Sequence, residues 1–295
     1  MNASPPRTVL ISGCSSGIGY ALARDLGGRG FRVLATARQA RDVEKLGGAG
    51  LACRRLDLAD SDSIAACAQW ALEQSAGNFY ALINNGAYGQ PGAVEDFSRE
   101  ALREQFEANV FVTQELTNRL LPELRRLRRG RIVQISSVLG FVCLPWRGAY
   151  NASKYALEAL SDTMRMELRG SGVFVSLVEP GPINTRFSVN SLRAFDKHLR
   201  PQDSVHRDLY EVLRANMEHL QHLRFSLPPE SVVAPVAHAL SATTPRIRYR
   251  VTAPTHVFAA LKRILPAGAL DRILAGSGEP VRLDSRWKRW LRFRK

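Results

Sequence analysis

The chain has 295 residues, 45% of them apolar, and no Pro/Ser-rich linker or repeat, so it can bury the core of one large domain. No apolar stretch approaches the roughly 20 residues of a helical membrane span, and no signal peptide is visible. The formal net charge of +14 lies mostly in the segment from Arg246 onward. The four cysteines are scattered and include no C-x-x-C pair, which excludes a disulfide framework or a zinc site and predicts a cytosolic protein.

Short apolar runs alternate with segments of helical periodicity along most of the chain. Six runs are predicted as strands, over residues 8–11, 31–37, 51–56, 79–83, 131–135 and 173–178. Helices are predicted between them, including residues 61–74, with Ser61 as the N-cap, and residues 99–121. Strands separated by helices indicate an α/β fold with a doubly wound parallel sheet, whose ligands lie beyond the carboxyl ends of the strands.

The first predicted strand ends in a glycine-rich turn, SGCSSGIG at residues 12–19, and a helical pattern follows. Gly13, Gly17 and Gly19 permit a tight turn and a close approach of a pyrophosphate to backbone N–H groups at the helix start. Their spacing is G-x-x-x-G-x-G, not G-x-G-x-x-G, and a plain loop is the alternative. We interpret this strand, turn and helix as a dinucleotide site.

The end of the second predicted strand indicates which dinucleotide is bound. Ala37 and Arg38 stand there, with no carboxylate to hold a ribose 2'-hydroxyl. An arginine suits the 2'-phosphate of NADP(H), and Ser16 would add a hydroxyl to the same phosphate. We therefore expect NADP(H) as the cofactor, and a solvated surface arginine is the alternative.

Tyr150 and Lys154 are four residues apart, so on a helix they share one face. A free phenol titrates near pH ~10, and a neighbouring cation favours the phenolate and lowers its pKa. The pair therefore suits acid–base catalysis, although an ordinary half-buried tyrosine and a solvated lysine are the alternative for the pair alone. Ser137, thirteen residues before Tyr150 at a predicted strand end, favours the catalytic interpretation, and Ser136 is the rival serine.

These motifs occur together in one family's order, and over about residues 7–190 the chain resembles the short-chain dehydrogenase/reductase family. The motifs are SGCSSGIG, Asp57 after the third strand, NNGA at residues 84–87, Asn109, Ser137, Tyr150, Lys154, Pro180-Gly181 and Thr185. GCSSGIG, ATAR and PRIRYRVT at residues 245–252 more narrowly resemble the hydroxysteroid and retinol dehydrogenase branch. Ser12 replaces the family's usual threonine, and Gly86-Ala87 inverts the usual order of two small residues.

The resemblance implies a catalytic set of Tyr150, Lys154, Ser137 and Asn109. Tyr150 would exchange a proton with the substrate oxygen, Ser137 would hydrogen-bond that oxygen, and Lys154 would lower the Tyr150 pKa and hold the nicotinamide ribose. Asn109 would bind a water that relays protons, although such an asparagine is by itself more often a satisfied core amide. The implied cofactor contacts are Ser12, Gly13, Ser15, Ser16, Gly17, Ile18, Gly19, Arg38, Asp57, Leu58, Asn85, Gly86, Ala87, Tyr150, Lys154, Pro180, Gly181, Ile183 and Thr185.

The implied activity is that of an NADP(H)-dependent oxidoreductase, which interconverts a hydrophobic alcohol and its ketone or aldehyde. Residues 187–225 would form a substrate lid on a single Rossmann-fold domain of residues 1–284. An apolar pocket for a steroid, retinoid or long-chain carbonyl is suggested by Phe141, Val142, Leu144, Pro145 and Trp146, with mutual packing as the alternative. A catalytically silent NADP(H)-binding regulator on the same fold is the other candidate, and the complete catalytic set disfavours it.

The C-terminal segment SRWKRWLRFRK, residues 285–295, interleaves aromatic and basic side chains. It resembles an interfacial segment that would attach the protein to the inner membrane surface, with a frayed end or an oligomer contact as the alternative. No nucleic-acid reading module accompanies it, so we expect no nucleic-acid partner. His219 and His222 lack a clear third ligand, so we expect no metal. We expect a homo-oligomer.

Overall fold

A parallel sheet forms the centre of the protein. The structure is a computed structural model that describes residues 6–219 and 225–277, and within them the sheet has seven strands. The strands are β1 (Arg7–Ile11), β2 (Phe31–Ala37), β3 (Ala52–Arg55), β4 (Phe79–Asn84), β5 (Gly130–Ile135), β6 (Val173–Glu179) and β7 (Arg248–Arg250). Their order is β3-β2-β1-β4-β5-β6-β7, and every adjacent pair is parallel. The strand order reverses between β1 and β4, which opens a crevice at their carboxyl ends.

Helices cover both faces of this sheet because its central strands are apolar on both sides. Every residue of β4 and β5 is buried, as expected for parallel strands between two helical layers. The helices are α1 (Gly17–Gly28), α2 (Ala40–Gly48), α3 (Ser61–Ser75), α4 (Arg99–Phe106), α5 (Val112–Arg126), α6 (Gly148–Glu167), α7 (Phe187–His198), α8 (Arg207–His219), α9 (Val233–Ser241), α10 (Ala253–Ile264) and α11 (Ala267–Ser277). Leu22 of α1 and Val236 of α9 enter the core on one face. Ile64 of α3 and Leu116 of α5 enter it on the other.

The six predicted strands and the doubly wound parallel sheet of a single domain are confirmed. The sequence prediction misses β7 because its three residues, Arg-Tyr-Arg, contain no apolar run. A π-helical turn, Glu107–Phe111, interrupts the helix predicted over residues 99–121. The prediction that Ser61 is the N-cap of α3 is wrong. Asp60 precedes it in extended conformation, and its carboxylate accepts a hydrogen bond from the Asp62 N–H (3.0 Å).

The helices α7 and α8, within the segment predicted as a lid, pack around a small separate core. Phe195 and Tyr210 are buried there, with ring centroids 5.4 Å apart. The Tyr210 hydroxyl donates a hydrogen bond to Asp96 and accepts one from the Ala93 N–H (2.9 Å). These contacts attach both helices to the segment that follows β4, so they are held beside the carboxyl ends of the sheet.

Among residues 6–219 and 225–277, no helix has the length and apolar character that a membrane crossing needs. Three features that the sequence analysis named lie outside the described residues: the basic segment of residues 285–295, His222, and residues 220–224 of the predicted lid. Within the described part of the chain, no group of three or more His, Cys, Asp and Glu side chains could hold a metal ion.

A cluster of charged side chains joins β7 to α6 and β6. Arg248 of β7 lies 3.0 Å from the Glu158 carboxylate on α6 and 2.9 Å from the Glu179 carboxylate at the end of β6. It also donates a hydrogen bond to Asp162, one turn after Glu158 (2.6 Å). Burial, and then the charge of Glu158, raises the pKa of Glu179 to about 7. Burial also raises the pKa of Glu158, so Arg248 neutralises carboxylates that have lost most of their water.

Arg248→Met is expected to lower the free energy of unfolding by about 3 kcal/mol near pH 8, because it leaves the buried Glu158 carboxylate without the arginine that pairs with it and leaves Glu179 with the longer contact to Arg250 (3.4 Å). Both carboxyl groups have raised pKa values in the folded protein, and removing Arg248 would raise them further, so the stabilisation by Arg248 is largest where both carboxylates are ionised and is lost as the pH falls toward the folded pKa of Glu179, about 7. Urea unfolding between about pH 5 and pH 8 measures the loss.

The matched control is Arg246→Met, which removes an exposed arginine two residues earlier and is expected to change the unfolding free energy by less than about 0.5 kcal/mol. A loss in Arg248→Met that is equal at every pH would show that the carboxylates are not what Arg248 stabilises.

Candidate active site

A cavity of about 400 Å³ opens at the carboxyl ends of the central strands. Its lining comes from Gly13 and residues 15–18 of the glycine turn, residues 85–87 after β4, residues 135–139 at the end of β5, Leu144 and Arg147, Tyr150 and Lys154 on α6, residues 180–183, 185–188 and 190 after β6, and Met217 on α8. The parallel order of the strands brings these distant segments to one edge of the sheet. This edge is where the sequence predicted a ligand site.

Tyr150 and Lys154 stand one turn apart on α6 and line the same wall of the cavity. Only 8% and 3% of their surfaces are exposed, and the Lys154 ammonium lies 5.8 Å from the centre of the Tyr150 ring. The ammonium donates a hydrogen bond to the carbonyl oxygen of Ile135 at the end of β5 (2.8 Å). This bond holds the amine beside the two serines that follow β5.

Burial dominates the acid–base properties of this pair. Loss of water raises the pKa of Tyr150 to about 12, against the opposing effects of a hydrogen bond with Ser137 and the positive charge of Arg147. Burial lowers the pKa of Lys154 to about 8, and the Glu158 carboxylate opposes this shift. In the protein by itself, desolvation outweighs the attraction of nearby positive charge, and the expectation that Lys154 lowers the Tyr150 pKa stays a prediction.

Ser137, and not its rival Ser136, faces the phenol. Both serines line the cavity, but the hydrogen bond that lowers the Tyr150 pKa involves Ser137. The Ser137 hydroxyl also accepts a backbone N–H at the start of the short 3-10 turn Val138–Gly140 (3.1 Å), which fixes its position. Ser136 lies beside Glu158 and lowers the pKa of that carboxyl group. The structure thus places the serine favoured by the sequence next to Tyr150.

Asn109 is buried in the π-helical turn between α4 and α5, and it does not line the cavity. Its amide nitrogen donates hydrogen bonds to the Tyr88 carbonyl oxygen (2.9 Å) and the Ser153 hydroxyl (3.0 Å). Its amide oxygen accepts one from the Tyr88 N–H (3.2 Å). Asn109 therefore holds the segment after β4 against α6, as a satisfied core amide does. No described contact connects it to Lys154 for the implied water relay.

The glycine turn leaves no room for side chains, as a dinucleotide cradle requires. Gly13 and Gly17 have φ angles of +73° and +58°, which favour glycine. A Cβ atom at Gly19 would lie 2.3 Å from the Gly13 carbonyl oxygen, and one at Gly17 would lie 2.9 Å from the Thr185 side chain. Ser16 precedes α1, lines the cavity and makes no side-chain capping bond. These features fit a dinucleotide whose pyrophosphate lies at the start of α1.

Gly86, the first residue of the inverted pair Gly86-Ala87, packs against Leu58. A Cβ atom at Gly86 would lie 2.8 Å from a methyl carbon of Leu58, so Leu58 occupies the space that a larger residue would need. The Ser12 hydroxyl accepts hydrogen bonds from the N–H groups of Asn85 (2.9 Å) and Gly86 (3.0 Å). Ser12 and Leu58 therefore shape this wall from behind, without lining the cavity themselves.

Two arginines meet at the carboxyl ends of β2 and β3. Arg38 is exposed directly after β2, and its carbonyl oxygen accepts a hydrogen bond from Arg55 Nε (3.2 Å). The register of the two strands pairs Ala37 with Arg55, whose guanidinium also lies 3.4 Å from the Asp57 carboxylate. Asp57 follows, with its N–H bonded to the Ser63 hydroxyl (2.9 Å). The sequence predicted Arg38 and Asp57 here, whereas Arg55 emerges only from the strand pairing.

Two charged residues near Tyr150 escape the sequence prediction. Arg147 stands three residues before Tyr150, and Glu158 stands four residues after Lys154. Residues three or four apart share a helix face, so this spacing rule alone would have identified both. Their charges act on the two residues that they flank, as the pKa shifts of Tyr150 and Lys154 show.

The model of one protein family, described as short chain dehydrogenase, matches residues 7–194. The chain belongs to this family. Its relatives include the uncharacterized oxidoreductase YbbO of Escherichia coli strain K12, which is 42% identical over 272 residues and covers 92% of this chain and 94% of the relative. Retinol dehydrogenase 8 of Homo sapiens is 34% identical, and the match covers 91% of this chain and 88% of the relative. For 17-beta-hydroxysteroid dehydrogenase type 6 of Rattus norvegicus, the identity is 34% and the match covers 90% of this chain and 87% of the relative. The predicted resemblance to the hydroxysteroid and retinol branch is confirmed.

Solved structures of the family share this fold. A short chain dehydrogenase from Burkholderia cenocepacia in complex with NADP has a TM-score of 0.71 at 23% identity and covers 91% of this chain and 97% of its own. A short chain dehydrogenase/reductase from Burkholderia phymatum in complex with NAD has a TM-score of 0.75 at 24% identity, and the match covers 96% of this chain and 100% of that chain. Proteins with this fold thus hold either dinucleotide, and the fold alone does not select between them.

Lys154→Met is expected to raise the free energy of unfolding by about 2 kcal/mol near pH 7, because the native protein buries an ammonium that prefers water. The folded pKa of Lys154 is about 8 against an ordinary 10.5, so this cost is complete below pH 8 and disappears as the pH rises toward 10.5. Urea unfolding should therefore show a smaller gain near pH 9 than near pH 7.

Lys45→Met, at an exposed lysine on α2, is the matched control and should change the unfolding free energy by less than about 0.5 kcal/mol at either pH. If Lys154→Met is less stable than the native protein at both pH values, the hydrogen bond to Ile135 outweighs desolvation.

Proposed function

We propose that the protein is an NADP(H)-dependent oxidoreductase that interconverts a hydrophobic alcohol and its ketone or aldehyde. One observation carries this proposal. A buried phenol, a serine hydroxyl and a buried amine line the same cavity as a glycine turn that has no room for side chains. Membership of the short chain dehydrogenase family supports the reaction class, oxidation and reduction at a CH–OH group.

Each residue of the cavity wall has a distinct part in this reaction. The bound nicotinamide supplies or accepts the hydride, and the glycine turn and the start of α1 would hold the dinucleotide. Tyr150 would give a proton to the substrate oxygen in reduction and take it back in oxidation. Ser137 would donate a hydrogen bond to the same oxygen as negative charge develops there. Lys154, fixed by its bond to Ile135, would hold the ribose hydroxyls.

Charge at the ends of β2 and β3 supports NADP(H) over NAD(H). Arg38 is exposed and Arg55 lies beside it, whereas the position directly after β2 carries no carboxylate for a ribose 2'-hydroxyl. A 2'-phosphate adds negative charge at this edge, and guanidinium groups bind phosphate through paired hydrogen bonds. The Ser16 hydroxyl, which lines the cavity without a capping bond, would contribute a further donor.

The composition of the cavity wall supports a hydrophobic substrate. Apolar side chains lining it near Tyr150 are Val138, Leu139, Leu144, Phe187 and Met217. The ring of Phe187 meets the Tyr150 ring edge to face, with centroids 5.3 Å apart. The helices α7 and α8, which supply Phe187 and Met217, would act as the substrate lid. Two relatives are named as dehydrogenases of retinol and of hydroxysteroids, which are hydrophobic alcohols.

Tyr150→Phe is expected to lower kcat by about 10²- to 10⁴-fold while NADPH binding is kept, because the variant loses the proton donor but not the ring that packs on Phe187. NADPH consumption over a panel of hydrophobic ketones and aldehydes measures turnover, and NADPH fluorescence measures binding. The matched control is Tyr155→Phe on the same helix, whose phenol does not line the cavity and should be dispensable. A Tyr150→Phe enzyme with native turnover would contradict the assignment.

Arg38→Asp is expected to weaken NADPH binding by about ten- to a hundredfold and to improve the relative use of NADH, because it repels the 2'-phosphate and offers a partner to a 2'-hydroxyl. The ratio of kcat/KM for the two cofactors measures the change. Arg99→Asp, at an exposed arginine that begins α4, makes the same charge change away from the cavity and should leave the ratio unaltered. Equal efficiency with both cofactors in the native protein would refute the preference itself.

A further inference from the structure

One guanidinium on the cavity wall has no counter-charge. Arg147 immediately precedes α6, one turn before Tyr150, and its side chain is half-buried and lines the cavity. Among the described residues, none accepts a hydrogen bond or forms an ion pair with its guanidinium. Burial lowers the pKa of Arg147, and the Tyr150 phenol opposes this shift. Burying a charge without a partner is costly, so a bound ligand is the natural source of the missing negative charge.

The charge of the described cavity wall is entirely positive. Arg147, Lys154 and Arg186 line it, and no Asp or Glu side chain does. Lys154 is bonded to the Ile135 carbonyl oxygen, and the exposed Arg186 adjoins Thr185, whose side chain abuts the glycine turn. Lys154 therefore has a backbone acceptor, and Arg186 is exposed to water and needs no counter-charge. Arg147 is left as the half-buried cation of the described lining that has no described partner.

The loop that carries Arg147 is anchored on the substrate side of the cavity. Its carbonyl at Trp146 accepts a hydrogen bond from the Gly92 N–H (3.0 Å), and the Trp146 ring meets His206 with centroids 5.2 Å apart. Trp146 has a φ angle of +63°, a left-handed conformation that costs a bulky residue about 1–3 kcal/mol. The fold thus maintains a strained backbone directly before Arg147, in contact with His206 of the segment predicted as a lid.

We propose that Arg147 binds a carboxylate of the substrate, so that the enzyme acts on oxo or hydroxy derivatives of apolar carboxylic acids. This inference rests on the proposed oxidoreductase function and narrows its substrate class. A planar carboxylate matches one guanidinium through two parallel hydrogen bonds, whereas a phosphate carries more charge than a single arginine neutralises. The apolar remainder would contact Leu144, Phe187 and Met217, and the oxo group would face Tyr150.

The test compares a medium-chain γ-oxo carboxylic acid with its methyl ester in the NADPH-consumption assay. The native protein is expected to prefer the acid in kcat/KM, and Arg147→Met should lower kcat/KM for the acid by about ten- to a hundredfold, chiefly through KM. The ester should be slowed much less than the acid, because it makes no ion pair and loses only the effect of the Arg147 charge on the Tyr150 pKa. Arg147→Lys should recover part of the acid preference, since it keeps the charge but not the paired donors. Arg193→Met, at an exposed arginine of α7 outside the cavity, is the control for net charge.

A binding measurement separates this inference from the proposed function. Decanoate, which has no oxo group, should bind the NADPH complex of the native protein by calorimetry, and methyl decanoate should not compete with it. Arg147→Met should lose this binding even if no carbonyl compound is ever turned over. Three results would each refute the carboxylate site. The native protein could use acid and ester with equal kcat/KM, or Arg147→Met could slow both to the same extent. Decanoate binding that survives the substitution would refute it as well. A native protein that binds decanoate but reduces no carbonyl would refute the oxidoreductase and leave the site standing.

Discussion

The buried hydrogen bond from Lys154 to the Ile135 carbonyl oxygen joins α6 to the carboxyl end of β5, and the geometry of the catalytic wall depends on it. Ser137 lies two residues after that strand end, and Tyr150 lies one turn before Lys154 on the helix. This bond between strand and helix thus helps to set the relative positions of the hydroxyl, the phenol and the amine. Because the bond is buried, water does not compete for its acceptor, which makes its geometry well defined.

Close backbone approach shapes the opposite wall of the cavity. The glycine turn lies against residues 85 and 86, and a Cβ atom at Gly13 would stand 2.8 Å from the Gly86 Cα. Leu58 fills the remaining space behind Gly86, while the Ser12 hydroxyl orients the N–H groups of this segment. The wall is therefore made of backbone groups and small side chains, which is the surface that a pyrophosphate and a nicotinamide ring require.

Desolvation is the main cause of the pKa shifts at the carboxyl ends of β5 and β6 and on the neighbouring helix α6. It raises the pKa of Tyr150, lowers that of Lys154 and raises that of Glu179, and the charges around them only moderate these shifts. Glu158 links the two regions, since it influences Lys154 one turn away and pairs with Arg248 of β7. Arg147, which lines the cavity and whose charge lowers the Tyr150 pKa, has no described partner in this network.

The sequence by itself determined six of the seven described strands, the glycine turn and the Tyr150–Lys154 face, because these follow from local periodicity and spacing. Family motifs added Ser137, and spacing would also have selected Arg147 and Glu158. Only the tertiary structure decided that Ser137 and not Ser136 meets the phenol, that Asn109 is held by Tyr88 and Ser153, and that Arg55 joins Arg38. Those outcomes depend on strand register, burial and crossings between distant segments. The amino-acid sequence alone does not show which side chains become desolvated when the protein folds.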